Sequence, residues 1–210
     1  MLELFVIAAF GLLAYRSAVI ENEEQTTGTI KVGERIGKLW DIAHLSMREN
    51  RFLRAEKALL TILKIDEKNA AAYNRLGILY AKQKEYRDAI DCFEIASSIE
   101  ATPSSLHNLG LIYFETENYE KAAVAFEQAL KLEDGLAARH VAYAKVQEKL
   151  GNLRLMFEHL EKAAELEPNR ETFSLLLKAY QTAGRAAEAD LLQEKLDKLI
   201  MPAGRRKRIL

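Results

Sequence analysis

Four histidines, His44, His107, His140 and His159, and a single cysteine, Cys92, are the side chains of this sequence best suited to metal or nucleophilic chemistry. Their spacing supports neither. No histidine pairs with a cysteine or carboxylate at metal-ligand spacing in a known motif. There is no His-Glu-x-x-His, no glycine loop to cradle a phosphate and no Gly-x-Ser-x-Gly elbow. No catalytic residue, metal site or cofactor is therefore expected, and an enzyme is disfavoured. The histidines are expected on the surface or in a groove. Cys92, beside Phe93, is expected as a small core or interface residue, and one cysteine cannot form an internal disulfide. Neighbouring acid–base pairs such as Glu120 and Lys121 read as solvated helix faces. Basic charge is concentrated in one place, Arg205, Arg206, Lys207 and Arg208. A compact patch of that kind suits anionic lipid or nucleic acid, or is a solvated tail. The net charge of −1 argues against binding nucleic acid with the whole body, and no specific nucleic acid is expected as a partner.

What must position these residues is a repeat. Gly77 and Gly110, Tyr80 and Tyr113, Tyr86 and Tyr119, Ala89 and Ala122, Phe93 and Phe126, and Ala96 and Ala129 are each 33 residues apart. The register continues through Phe126 and Leu160, Ala129 and Ala163, and Gly151 and Gly184. Each unit holds two apolar patterns with helical spacing of three and four, such as Leu76, Leu79 and Tyr80, then Ala89, Phe93 and Ala96. Gly77 and Gly110 stand inside helices at a cost of about 1 kcal/mol each relative to Ala. That cost implies close approach of two helices, with Ala89 and Ala122 as the small partners opposite. Tyr86 and Tyr119 open the second helices and are expected in the seam between repeats. Thr102–Pro103 reads as an N-cap followed by proline at the first helical position.

The segments YNRLGILYAKQKEYRDAIDCFEIASSIEATP and LHNLGLIYFETENYEKAAVAFEQALKLEDG resemble the tetratricopeptide repeat, with its Leu-Gly-x-x-Tyr, Ala, Phe and Ala positions. Five units fit, at 36–69, 70–102, 103–136, 137–170 and 170–203. The resemblance implies an all-α fold, a right-handed superhelical solenoid of about five helix-turn-helix repeats. It also implies that the first helix of each repeat lines a concave groove. The groove positions are then Trp40, His44 and Met47 in the first unit, Asn74 and Ile78 in the second, and His107, Leu111 and Phe114 in the third, with Asn108 adjacent. The fourth unit supplies Ala138, Val141, Lys145 and Glu148. The fifth supplies Glu171, Phe173 or Ser174, Lys178 and Gln181. The first half of this groove is apolar and the second charged. Trp and Met on a concave surface suit a docking partner; alternatively, Trp40 packs against its own chain. The family's carboxylate clamp for chaperone tails is absent. Asn108 matches its central Asn and Asn74 stands at one companion position, but Ile78, Ala138 and Ala142 occupy the others.

The first 35 residues differ from the rest. Residues 1–20 form an apolar segment in which Leu4, Phe5, Val6, Ile7, Phe10, Leu12 and Leu13 precede Arg16. As a helix, 4–20 reaches roughly 25 Å against a hydrocarbon core of about 30 Å. This reads as a single-pass membrane anchor, with Arg16 near one end and able to snorkel. A cleaved leader fits less well, because no basic region precedes the apolar run. Lys31, Arg35 and Lys38 follow the segment, which places the repeats on the cytoplasmic side. Some bacterial envelope-biogenesis proteins are similar in pairing such an anchor with cytoplasmic repeats. The relative in question adds a Cys-rich metal module, which this chain lacks. Residues 21–35 read as a polar linker and 204–210 as the basic tail. The function expected is a membrane-associated scaffold that binds a peptide or helix of a protein partner in its groove. The alternative is a soluble adaptor or homo-oligomer in which residues 1–20 pack on the repeats.

Overall fold

A computed structural model describes residues 31–200, and among these the regular structure is entirely helical. Residues 31–48 form α1. There follow α2 (Phe52–Ile65), α3 (Ala70–Lys82), α4 (Tyr86–Ile99), α5 (Pro103–Glu115), α6 (Tyr119–Leu132), α7 (Ala137–Lys149), α8 (Leu153–Leu166), α9 (Arg170–Thr182) and α10 (Ala186–Ile200). The chain divides into two compact units, Met1–Ala72 and Tyr73–Leu210. In the first, Ala43, Met47, Ala55, Leu59 and Ile62 are buried. In the second, α5, α7 and α9 each pack on their own second helix and on the second helix of the preceding pair, as α5 does on α6 and α4.

One backbone device recurs in every hairpin. Asn50, Lys84, Glu117, Gly151 and Gly184 have φ of 57°, 63°, 59°, 76° and 70°. The residue after each donates its N–H to the carbonyl five positions back, as in Arg51 to Ser46 at 2.8 Å, Glu85 to Tyr80 at 2.9 Å and Arg185 to Tyr180 at 2.9 Å. This is the glycine-favoured helix stop, in which a left-handed residue lets the chain turn back at once. Lys84 and Glu117 carry a Cβ that the left-handed region disfavours by about 1–2 kcal/mol. Replacing either by glycine is therefore expected to stabilise the fold by about 0.5–1 kcal/mol after the added chain entropy of glycine. A denaturation midpoint that rises at constant slope would show it. Glycine at the adjacent Glu85, where φ is −82°, should do the reverse.

The helical glycines have a definite steric cause. A Cβ on Gly77 would stand 2.7 Å from the Phe93 ring, and one on Gly110 2.9 Å from the Phe126 ring. The close approach expected of the hairpin is thus made by a phenylalanine lying across the glycine, with Ala89 and Ala122 fully buried nearby. Tyr119 is half-buried and meets Phe114 of its own hairpin edge-on at 5.5 Å. It packs on the cluster that runs through α4, α5, α6 and α7. Thr102 caps α5 as expected, with Pro103 at its first position. The Thr102 Oγ1 accepts from the Ser105 N–H at 3.1 Å, and Ser105 Oγ accepts from the Thr102 N–H at 3.1 Å.

At the N-terminal side the helix already holds residues 31–35, which the composition assigns to the linker. Lys31, Glu34 and Arg35 favour helix strongly enough to carry exposed Gly33. The anchor residues Leu4, Phe5, Val6, Ile7, Phe10, Leu12 and Leu13 lie outside the described residues, as do Arg205–Arg208. Among the described residues no helix is long and apolar enough to cross a membrane.

Candidate functional site

The second unit carries a cleft of about 350 Å³ walled by α5, α7 and α9. His107, Leu111 and Phe114 contribute from α5, Ala138, Val141 and Lys145 from α7, and Glu171 and Leu175 from α9, with Phe126 of α6 reaching in from below. Steps of three and four put each set on one face of its helix. A second cleft of about 290 Å³ lies between α7 and α9, lined among others by Lys145, Glu148, Leu153 and Lys178.

The first cleft is apolar at its base and acidic at its rim. Glu115, Glu167 and Glu171 are exposed around it, against the one ammonium of Lys145. Among the described residues none of Glu115, Glu171 or Lys145 is in an ion pair. His107 meets the Phe126 ring edge-on at 5.3 Å, and its Nδ1 is buried without a hydrogen bond inside the chain. Burial, and secondarily the positive charge of Arg139, hold its pKa below the ordinary imidazole value.

Arg139 is only 2% exposed. Its guanidinium reaches back to the turn before α7, where Nη1 donates to the Glu133 carbonyl and Nη2 to Glu133 Oε2 at 3.0 Å. It thereby fixes the turn that places Ala137 and Ala138 on the cleft. Beside it, His140 Nε2 lies 2.7 Å from the Asp134 carbonyl, which can only accept. In the neutral ring Nδ1 is then an acceptor, so His159 Nδ1–H donates to it across 2.8 Å. Burial, and next His140, lower the pKa of His159. Two further cross-helix bonds tie neighbouring pairs together. Tyr113 donates to Glu94, and Tyr180 donates to Glu161 at 2.7 Å. Burial and then the bond to Glu161 push the Tyr180 phenol up to about 12. Burial, then Asp88 and Asp91, push the Cys92 thiol up to about 11.

The structure brings His107, Leu111 and Phe114 into one cleft. Asn108 and Asn74 meet each other, Nδ2 of the former donating to Oδ1 of the latter at 3.2 Å. Ile78 is half-buried against the core that contains Phe93 and Tyr113. In the first unit Trp40 is half-buried, its ring 5.5 Å from exposed His44. Met47 departs from the groove reading. It is 6% exposed, because at the last turn of α1 its long apolar side chain turns into the core instead of outward. In the fifth hairpin Leu175 lines the cleft, not Phe173 or Ser174. The Asn169–Thr172 capping box starts α9 at Arg170 and so sets which residues face inward. Glu115, Phe126, Glu167, Asn169 and Thr172 also line the cleft, although none stands at a groove position of the repeat. Pro168–Asn169 with Thr three positions on is the capping signal that would have placed the last two.

Residues 70–100 and 103–135 each match the tetratricopeptide repeat family. Those two segments are similar to tetratricopeptide repeats, and the described residues fold as successive helical hairpins. No curated protein matches the sequence. Among solved structures it is similar to the MamA protein, with 22% identity and a TM-score of 0.69 over 78% of this chain and 91% of that one. A fragment of MamA from Desulfovibrio magneticus RS-1, from residue 41 to the end, shares 15% identity, with a TM-score of 0.66 over 79% and 93%. YrrB, a tetratricopeptide repeat protein with an unusual peptide-binding site, shares 20% identity, with a TM-score of 0.64 over 75% and 82%. At these identities the likeness establishes the fold.

Proposed function

We propose that this chain is a non-enzymatic scaffold that captures a segment of a partner protein in the cleft between α5, α7 and α9. The observation that carries this is the cleft itself. Leu111, 39% exposed, stands over an apolar base large enough for one or two side chains, and unpaired charges ring it. A peptide-binding site on a protein of the same fold, YrrB, supports the reading. His107, Leu111 and Phe114 are assigned to contact the segment, with Asn108, Asn74 and Ile78 continuing the surface along α5 and α3. Trp40 and His44 are assigned to a separate contact on the first unit.

A photoreactive residue at position 111, used in cells, is expected to cross-link a partner that the same probe at Val124, on α6, does not. In the chain that carries the probe at 111, Phe114→Ala should lower that capture at least about tenfold, the scale of losing a central anchor. Equal capture at positions 111 and 124 would sink the assignment. The apolar run 4–20 further supports presentation of the scaffold at a membrane. Release of the full-length protein by carbonate washing would overturn that part alone.

A further inference from the structure

We propose that the cleft takes a cationic segment of the partner protein, an aliphatic centre with lysine or arginine on either side. This rests on the reading of the cleft as a docking site and adds the chemistry of its occupant.

The base sets the centre of that segment. His107, Leu111 and Phe114 line it from α5 and Val141 from α7, with the Phe126 ring beneath His107. At about 350 Å³ it admits one or two aliphatic side chains. The Nδ1 of His107 is buried without a hydrogen bond, and burial holds the ring below the ordinary imidazole value. The base therefore carries no positive charge at neutral pH that would repel a cation.

The rim sets the flanks. Consecutive helices are joined by short turns and run antiparallel, so α5, α7 and α9 run the same way, with α7 between the other two. Glu115 stands in the last turn of α5, Glu171 in the first turn of α9, and Glu167 just before α9. Carboxylates thus border the apolar base on opposite walls. They are exposed, and among the described residues Glu115 and Glu171 are in no ion pair. Lys145 is the one ammonium lining this cleft. An anionic segment would set like charges against both walls, whereas a cationic one pairs with both. Lysine and arginine also lay their methylene stems on apolar surface while the charged head reaches outward, which suits an apolar base under an exposed acidic rim. The second cleft does not compete for such a segment, because it is lined by Lys145 and Lys178 against Glu148.

The test uses the purified full-length chain with a photoreactive phenylalanine at position 111 or, as control, at 124, and three labelled synthetic peptides. The peptides share a central Leu-Leu and flank it on both sides with paired lysines, glutamines or glutamates. The lysine peptide is expected to cross-link at position 111 and not at 124. Its half-maximal yield should fall at a concentration at least about fivefold below that of the glutamine peptide, the scale of a few exposed ion pairs. The glutamate peptide should be the weakest of the three. Glu115→Lys with Glu171→Lys should reverse that order; both positions are exposed, and an unchanged thermal midpoint checks that the variant stays folded. Rising salt should close the gap between the lysine and glutamine peptides on the unaltered chain. Equal yields from the three peptides, no product at 111 from any of them, or a lysine preference that survives the double lysine variant overturns the proposal. If a partner is captured at position 111 in cells while the three peptides bind alike, the cationic preference fails and the docking site stands. If the lysine peptide is selected at 111 and no partner is ever captured, the preference stands and the scaffold reading falls.

Discussion

Phe126→Ala is expected to lower stability by about 3–5 kcal/mol. The ring is 1% exposed and packs with Leu109, Tyr113, Ala122 and Val146, so its removal leaves a void that the surrounding helices α5, α6 and α7 cannot close. The same ring lies across Gly110. Gly110→Ala therefore sets two effects against each other. Helix propensity favours alanine by about 1 kcal/mol. A Cβ 2.9 Å from the Phe126 ring forces that buried side chain to shift and costs more, about 1–3 kcal/mol for overpacking. Gly110→Ala should thus be net destabilising, and Gly77→Ala against Phe93 at 2.7 Å more so. The mechanism makes a sharper claim through coupling. Phe126→Leu withdraws the ring edge, so Gly110→Ala should cost less in that background by about 1 kcal/mol. Additive losses in the double-mutant cycle would show that the glycine is kept for some other reason. Phe126 also backs His107 in the cleft, so Phe126→Ala should weaken capture by the position 111 probe as well.

Arg139→Ala should cost about 2–4 kcal/mol, while Arg139→Met should cost only about 1. The side chain is buried, so alanine removes packed methylene groups as well as charge-assisted bonds to Glu133. Methionine refills the stem and abolishes the expense of holding a guanidinium away from water, although the Glu133 carbonyl loses its donor. Glu133 is 59% exposed, so no second buried charge is stranded in either variant. Because the bonds hold the turn between α6 and α7, hydrogen exchange should accelerate first in residues 133–143. A change under about 0.5 kcal/mol for the alanine variant, or exchange spread evenly over the chain, would remove Arg139 from this role.

Both changes fall on residues of different legibility. Gly77, Gly110, Phe93 and Phe126 stand out in the sequence because each 33-residue unit meets the same surroundings, so the same steric demand recurs at the same offset. Arg139 does not recur, and nothing in its spacing marks it as buried. The His140–His159 pair and the Tyr113–Glu94 and Tyr180–Glu161 bonds are hidden for the same reason. Their partners lie on a neighbouring helix, 19 residues away, where pairing depends on how two helix faces meet.

The cleft shows the same division. Spacing along α5 is enough to align His107, Leu111 and Phe114, since one helix face is a local property. Met47 faces the core and Leu175 replaces Phe173 or Ser174 in the cleft because a face becomes inner or outer only through packing and cap placement. By itself the sequence determined the repeat register, the helical class and the places where a side chain larger than hydrogen is excluded, all consequences of local periodicity and sterics. Tertiary structure alone decided which charges ring the cleft and which imidazoles are buried, because each depends on distances between residues far apart in the chain.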